Sequence, residues 1–163
     1  MPLVRRLRYP WLDGGGGRGI QVIWVTGPGT YRDFVRHHRP PQVQVIGFLD
    51  PMADGYAVAD LVLSRAGMIT VAELCAWGLP GVLVPLPTAA ADHQTHNARV
   101  LAEAGAALLL PQAELTPSHL DATVRRLLVT DEAARIGMAE RALARGRPHA
   151  ARTIVSHLLT LAR

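Results

Sequence analysis

A short segment in the middle of the chain contains the residues best suited to hold an anion. The apolar run at 61–63 predicts a buried strand, and Thr70 predicts the start of the helix that follows it. The first N–H groups of a helix are unpaired and lie at the positive end of its dipole, so they bind phosphate without a lysine. Gly67, in the connecting loop, would let the backbone approach such a ligand closely.

Glu73 has two interpretations. It lies three residues after Thr70, which is the spacing of a capping box, in which the glutamate side chain accepts a hydrogen bond from the threonine backbone N–H. Alternatively, the carboxylate accepts hydrogen bonds from both hydroxyls of a ribose. From the spacing alone, the cap is the favoured interpretation.

A second polar segment follows the predicted strand at 81–84. Gln94 and Asn97 are three residues apart on a predicted helix, so they share a face, and their amides can bond sugar hydroxyls. His93 and His96 share an adjacent face, but no cysteine or clearly placed carboxylate completes a zinc ligand set. The segment therefore predicts sugar contacts and no metal site.

A third segment, after the predicted strand at 43–46, contains Phe48, Leu49 and Met52. These side chains could wall a flat base, and packing in the core explains them equally well. Because ligands bind at the carboxyl ends of parallel strands, we expect the three segments to converge on one pocket.

Strands and helices alternate along the chain and must position these segments. The strands are predicted at residues 20–25, 43–46, 61–63, 81–84 and 106–110. The helices are predicted at residues 31–38, 51–57, 70–78, 93–104, 117–128, 131–145 and 149–162. Short continuous apolar strands that alternate with helices indicate an α/β fold, a Rossmann-like parallel sheet with helices on both faces, here followed by a helical C-terminus.

The composition of the chain limits the classes of function that it can have. No run of 18 apolar residues predicts a membrane span, and no signal peptide is recognised at the start. The net charge of +4 suits an anionic membrane surface, a phosphorylated ligand or simply a solvated arginine-rich surface, and no basic stripe interleaved with aromatics predicts nucleic-acid binding. Cys75 stands alone in an apolar helical pattern, which favours a buried core thiol over a nucleophile and fits a cytoplasmic location.

Together the three segments resemble the C-terminal, donor-binding domain of the MurG family, glycosyltransferase family 28, over approximately residues 22–120. The resemblance implies one half of a GT-B fold, with residues 1–19 as an irregular lead-in and 20–163 as the nucleotide-sugar-binding domain. It implies that the uracil faces Phe48, Leu49 and Met52. It also implies that Glu73 binds the ribose, which reverses the preference for the cap. The diphosphate would lie on the loop and helix start, at Gly67, Met68, Ile69, Thr70, Val71 and Ala72. The GlcNAc hydroxyls would be bound by Gln94 and Asn97, with His93 beside them.

The implied activity is inverting transfer of GlcNAc from UDP-GlcNAc to a lipid-linked muramyl-peptide acceptor in peptidoglycan synthesis, with no cofactor or metal. The acceptor site and the catalytic base would lie in an N-terminal half, because members of the family are about twice this length. The chain is thus expected to be a fragment or one subunit of a split enzyme, with a peripheral contact to the inner face of the cytoplasmic membrane. The alternatives are a UDP-sugar-binding module without turnover, or another GT-B enzyme that uses a UDP-sugar.

Overall fold

The computed structural model describes residues 19–162. Contacts group the described residues into two compact units, 19–59 with 113–132, and 60–112 with 133–162. The predicted lead-in, apart from Gly19, lies outside the described residues.

Strands and helices alternate as the sequence predicts. The strands are β1 (Val22–Val25), β2 (Val43–Ile46), β3 (Val62–Ser64), β4 (Gly81–Leu83) and β5 (Ala107–Leu109). The α-helices are α1 (Tyr31–Phe34), α2 (Met52–Ala57), α3 (Met68–Trp77), α4 (His93–Glu103), α5 (Pro117–Arg125), α6 (Glu132–Arg145) and α7 (Ala150–Leu161). Most predicted ends are within two residues of the observed ones, and the predicted helical C-terminus is confirmed.

The first unit contains a two-stranded parallel sheet. β1 pairs with β2 from Val22↔Val43 to Val25↔Ile46. The side chains of β2 alternate between buried and more exposed positions, with Val43 and Val45 in the core beside Phe34 of α1. This alternation is the period-two pattern of a strand with one covered face.

The second unit contains a three-stranded parallel sheet in the order β3-β4-β5. Its central strand is completely enclosed, because Val82 and Leu83 have 0% of their surface exposed although their side chains point to opposite faces. Leu74 of α3 and Ala98 of α4 are equally buried. The predicted α/β architecture with parallel strands is therefore confirmed, although the strands form two sheets rather than one continuous ladder.

The start of α5 tests the capping rules directly. Thr116 is the N-cap, its Oγ1 accepts a hydrogen bond from the His119 N–H at 3.1 Å, and Pro117 occupies the first turn, as the sequence predicts. Replacement of Thr116 by alanine is expected to lower the free energy of unfolding by about 1 kcal/mol, because that N–H loses its acceptor. Urea denaturation would measure the difference.

Thr160→Ala is the matched control for this cap. Thr160 lies inside α7 and its hydroxyl donates to the Ser156 carbonyl, so its removal leaves no N–H unpaired. An equal loss of stability in the two variants would contradict the capping role of Thr116.

The last helix, α7, has an apolar stripe that the described residues do not cover. Its apolar residues recur at a helical period on one face and are exposed: Ala151, Ile154, Val155, Leu158 and Leu159. The four larger ones each have more than half of their surface exposed. Within residues 19–162, no helix combines the length and the apolar character needed to cross a bilayer.

Candidate functional site

The β3–α3 junction presents unpaired backbone donors. β3 ends at Ser64, and Gly67 is the N-cap of α3, with no side-chain cap. The first helical hydrogen bond runs from the Val71 N–H to the Gly67 carbonyl, at 3.0 Å. The preceding N–H groups, those of Met68, Ile69 and Thr70, are the ones that a helix start leaves for an external acceptor.

Among the described residues, the start of α3 is little covered. Met68 and Ile69 are 66% and 75% exposed although both are large and apolar. A Cβ added at Gly67 would meet nothing within 4 Å, and the backbone there (φ −64°, ψ 147°) is accessible to any residue. The fold itself therefore does not require glycine at position 67.

The helix begins two residues before its predicted start at Thr70. Gly67 has the extended backbone of an N-cap, and Met68 and Ile69 already have helical geometry. Thr70 is then the third helical residue and cannot cap the helix that contains it. The capping-box interpretation of Glu73 is therefore wrong, and this half-buried residue lies in the body of α3.

The two amides predicted to bind sugar hydroxyls also hold loop backbone. Gln94 Oε1 accepts a hydrogen bond from the Leu86 N–H at 3.0 Å, in the loop that follows β4. Asn97 is only 7% exposed, and its Nδ2 donates to the Ala66 carbonyl at 3.0 Å. Both bonds use one end of the amide, so the remaining polar atoms, Gln94 Nε2 and Asn97 Oδ1, are those with which a ligand could bond.

The histidines at the start of α4 are exposed. His93 Nδ1 lies 2.7 Å from the Ala90 carbonyl, which orients the ring and leaves Nε2 for a ligand. In the part of the chain that the structure describes, no three histidine, cysteine, aspartate or glutamate side chains are placed to hold a metal ion together.

Two left-handed residues precede α4. Ala91 has φ 49° and Asp92 has φ 51°, and neither is a glycine. The Asp92 carboxylate accepts a hydrogen bond from the Thr95 hydroxyl at 2.6 Å. This bond partly offsets the backbone strain at Asp92, whereas the methyl side chain of Ala91 can form no such bond. The left-handed conformation costs an ordinary residue about 1–2 kcal/mol, and such strain is often found beside functional residues. Here it sets the direction in which α4 begins, and hence where His93 and Gln94 lie.

Ala91→Gly is therefore expected to raise the free energy of unfolding, by about 1 kcal/mol, because glycine adopts positive φ without strain. Asp92→Gly should gain less, since it also loses the Thr95 contact. Thermal and urea melts of both variants would check this order, and a destabilised Ala91→Gly would contradict it.

The third predicted group lies in the first unit. Phe48 is 71% exposed and Met52 is 38% exposed, so core packing does not explain Phe48. Leu49 is half-buried against α2, because a Cβ on Gly55 would lie 2.7 Å from Leu49 Cδ2. The structure thus places the start of α3 and the amides of α4 together in the second unit. Phe48, Leu49 and Met52 lie in the first unit.

Ser64 and Arg65 match the family motif immediately before Gly67, but neither was predicted to bind the donor. Arg65 donates hydrogen bonds to carbonyls of the β4–α4 loop, and the Ser64 hydroxyl is buried without a hydrogen-bond partner among the described residues. The motif alone does not reveal which groups Arg65 bonds, because its partners are distant along the chain. Cys75 is buried, as predicted, and burial raises the pKa of its thiol although the nearby Arg145 opposes the shift.

Comparison with known families identifies the domain. The family model for the glycosyltransferase family 28 C-terminal domain matches residues 8–154. The chain belongs to glycosyltransferase family 28. The relatives and the solved structure described next confirm its resemblance to the MurG family and its GT-B-type fold.

The family 28 domain is similar to one part of longer bacterial enzymes. It is 42% identical over 160 residues to the UDP-N-acetylglucosamine–N-acetylmuramyl-(pentapeptide) pyrophosphoryl-undecaprenol N-acetylglucosamine transferase of Salinibacter ruber, and the match covers 98% of the chain and 42% of that relative. The enzyme of the same name from Azotobacter vinelandii is 49% identical over 122 residues, which cover 75% of the chain and 34% of the relative.

A solved structure agrees with this assignment. The crystal structure of MurG from Acinetobacter baumannii superposes with a TM-score of 0.82 and 30% identity, over 97% of this chain and 46% of that one. The chain therefore spans less than half the length of the relatives it matches.

Proposed function

We propose that residues 20–163 form the donor-binding half of a transferase that moves GlcNAc from UDP-GlcNAc to a lipid-linked muramyl-peptide acceptor in peptidoglycan synthesis. The observation that supports the proposal is the start of α3, where the N–H groups of Met68, Ile69 and Thr70 have no acceptor within the helix and a Cβ added at Gly67 would meet no described atom within 4 Å. The names of the relatives from Salinibacter and Azotobacter support the choice of donor and acceptor.

The diphosphate of the donor is assigned to this helix start. A doubly charged diphosphate fits a site with several backbone donors and the positive end of a ten-residue helix. Val71 and Ala72 continue the first turn behind the donors and complete the segment that the family resemblance assigns to the diphosphate.

The sugars and the base are assigned to the remaining predicted residues. Glu73, now without its capping alternative, accepts hydrogen bonds from the ribose hydroxyls. Gln94 Nε2 donates to the GlcNAc, with His93 beside it, and the buried Asn97 contributes mainly by holding the Ala66 carbonyl in place. Exposed Phe48, with Leu49 and Met52, is assigned to the uracil.

The chemistry of this half is the stabilisation of a leaving group. A hydroxyl oxygen of the acceptor forms a bond to the anomeric carbon of GlcNAc while the bond from that carbon to the UDP oxygen breaks. The proton passes to a base on the acceptor-binding half, and the negative charge that develops on UDP is held by the N–H groups at the start of α3. Stabilisation of this charge by fixed backbone dipoles requires no metal ion.

The acceptor-binding half corresponds to the part of the relatives that this chain does not match. The uncovered apolar stripe of α7 is the kind of surface that packs against another polypeptide, which supports a partner half, on the same or a separate chain. The acceptor's lipid would bring the assembled enzyme to the cytoplasmic face of the membrane.

Mixing this chain with a separately produced acceptor-binding half from a relative tests the proposal. We expect transfer of radiolabelled GlcNAc to a lipid-linked acceptor only when both halves are present. Binding of UDP-GlcNAc without transfer would reduce the chain to a binding module, and preference for UDP-glucose would contradict the assignment to GlcNAc.

A further inference from the structure

Arg65 joins three loops at the carboxyl edge of the second sheet. It follows β3 directly, and its Nη1 donates to the Val84 and Pro85 carbonyls, at 3.2 and 2.9 Å. Its Nη2 donates to Gln112 Oε1 at 2.8 Å. Val84 and Pro85 follow β4, and Gln112 follows β5, so one side chain connects the ends of all three strands.

The carbonyls that Arg65 bonds are in the interior. Val84 has 0% exposure and Pro85 is also buried, so water does not readily replace the guanidinium as their donor. All three acceptors of Arg65 are neutral oxygens. The planar fork of arginine can reach them together, whereas lysine offers a single point of attachment.

Two neighbouring contacts make the same connection. Asn97 on α4 bonds the Ala66 carbonyl, one residue after Arg65. Gln94, one turn earlier on α4, bonds the N–H of Leu86, one residue after Pro85. The loop before α3 and the loop before α4 are thus joined both by side chains of α4 and by Arg65.

We propose that Arg65 is a positioning residue that holds the β4–α4 loop against the β3–α3 loop, so that the start of α3 and Gln94 keep one fixed separation. The inference rests on the proposed function, because that separation matters for a ligand with a diphosphate at α3 and a sugar at Gln94. Arg65 itself acts through the loops and does not have to touch the ligand.

The test compares Arg65→Ala and Arg65→Lys in the full chain. Amide hydrogen exchange at Leu86, whose N–H bonds Gln94, reports the loop without any ligand. Calorimetry with UDP and with UDP-GlcNAc reports the site. We expect faster exchange at Leu86 in both variants, and about a tenfold loss of affinity for UDP-GlcNAc with a smaller loss for UDP.

The Arg65→Lys variant distinguishes a positioning role of Arg65 from simple electrostatic attraction of the diphosphate. If Arg65 acted only by attracting the diphosphate, Arg65→Lys would bind as the wild type does, and the proposal would be overturned. Arg141→Ala is the matched control, because Arg141 also donates to a backbone carbonyl of this unit, that of Gly105 at 2.9 Å, but before β5 rather than after it. It should leave Leu86 exchange and the ratio of the two affinities unchanged.

A milder variant separates an effect on the position of the loop from a general loss of stability. Gln112→Ala removes only the exposed acceptor of Nη2, and it should move both readouts in the same direction but less far. Unchanged amide exchange at Leu86 and unchanged affinity for UDP-GlcNAc in Arg65→Ala, Arg65→Lys and Gln112→Ala would overturn the inference. If the wild-type chain binds no UDP-GlcNAc, the proposed function fails, and Leu86 exchange alone decides whether Arg65 holds the loop.

Discussion

Gly67→Asp is expected to abolish detectable binding of UDP while leaving the fold intact or slightly more stable. Aspartate is a favourable N-cap, and its charge suits the helix dipole, which together stabilise a helix start by a few tenths to about 1 kcal/mol. The position has room for a side chain and an ordinary backbone geometry. The carboxylate would occupy the N–H groups that the diphosphate needs and repel it at short range, at a cost of about 3 kcal/mol, or more than 100-fold in affinity.

Gly67→Asn is the isosteric control for that charge. Asparagine caps equally well and fills the same volume without a negative charge, so we expect an intermediate loss of about tenfold. Thermal melts and calorimetry on both variants would show stability and affinity moving in opposite directions. An affinity for UDP close to the wild-type value in Gly67→Asp would place the diphosphate somewhere else.

Glu73→Ala is expected to weaken UDP binding by about 1–3 kcal/mol, because the ribose hydroxyls lose a charged acceptor. Glu73 lies in the body of α3 and does not cap it. Alanine is at least as good a helix former as glutamate, so the free energy of unfolding should change by less than about 1 kcal/mol. Calorimetry with UDP and a urea melt of the same variant would measure the two effects separately.

A deoxygenated ligand identifies which group Glu73 bonds. The wild-type chain should bind 2′-deoxy-UDP about tenfold more weakly than UDP, and Glu73→Ala should bind the two alike, since the partner of the hydroxyl is gone. Glu140→Ala, on the exposed side of α6, is the control and should retain the discrimination. If Glu73→Ala still bound UDP about tenfold more tightly than 2′-deoxy-UDP, the ribose hydroxyl would be bound by another residue.

The order and type of the elements were predictable because short-range signals specify them. Short, mainly apolar runs predicted all five strands, and Thr116 with Pro117 predicted the start of α5. The start of α3 was predicted two residues late, because a threonine followed three residues later by a glutamate has the pattern of a capping box. In the folded chain, Gly67 is already extended and Met68 is already helical.

The roles of the polar residues were less predictable because their partners are remote in sequence. Asn97 bonds a carbonyl 31 residues away, and Arg65 bonds an amide 47 residues away. Helical spacing alone could not show that these side chains hold loops together. The left-handed conformation of Ala91 also has no local signal, since alanine, unlike glycine, asparagine or aspartate, rarely adopts it.

The most direct measurement is a titration of the isotopically labelled chain with UDP-GlcNAc, monitored by the backbone amide resonances. We expect saturable shifts that are largest at Met68, Ile69 and Thr70, smaller changes at Gln94, and the loss of all of them in Gly67→Asp. Amides at the start of α3 that stay unmoved while UDP-GlcNAc binds, or a wild-type chain that does not bind it, would contradict the claim that this helix start holds the donor's diphosphate.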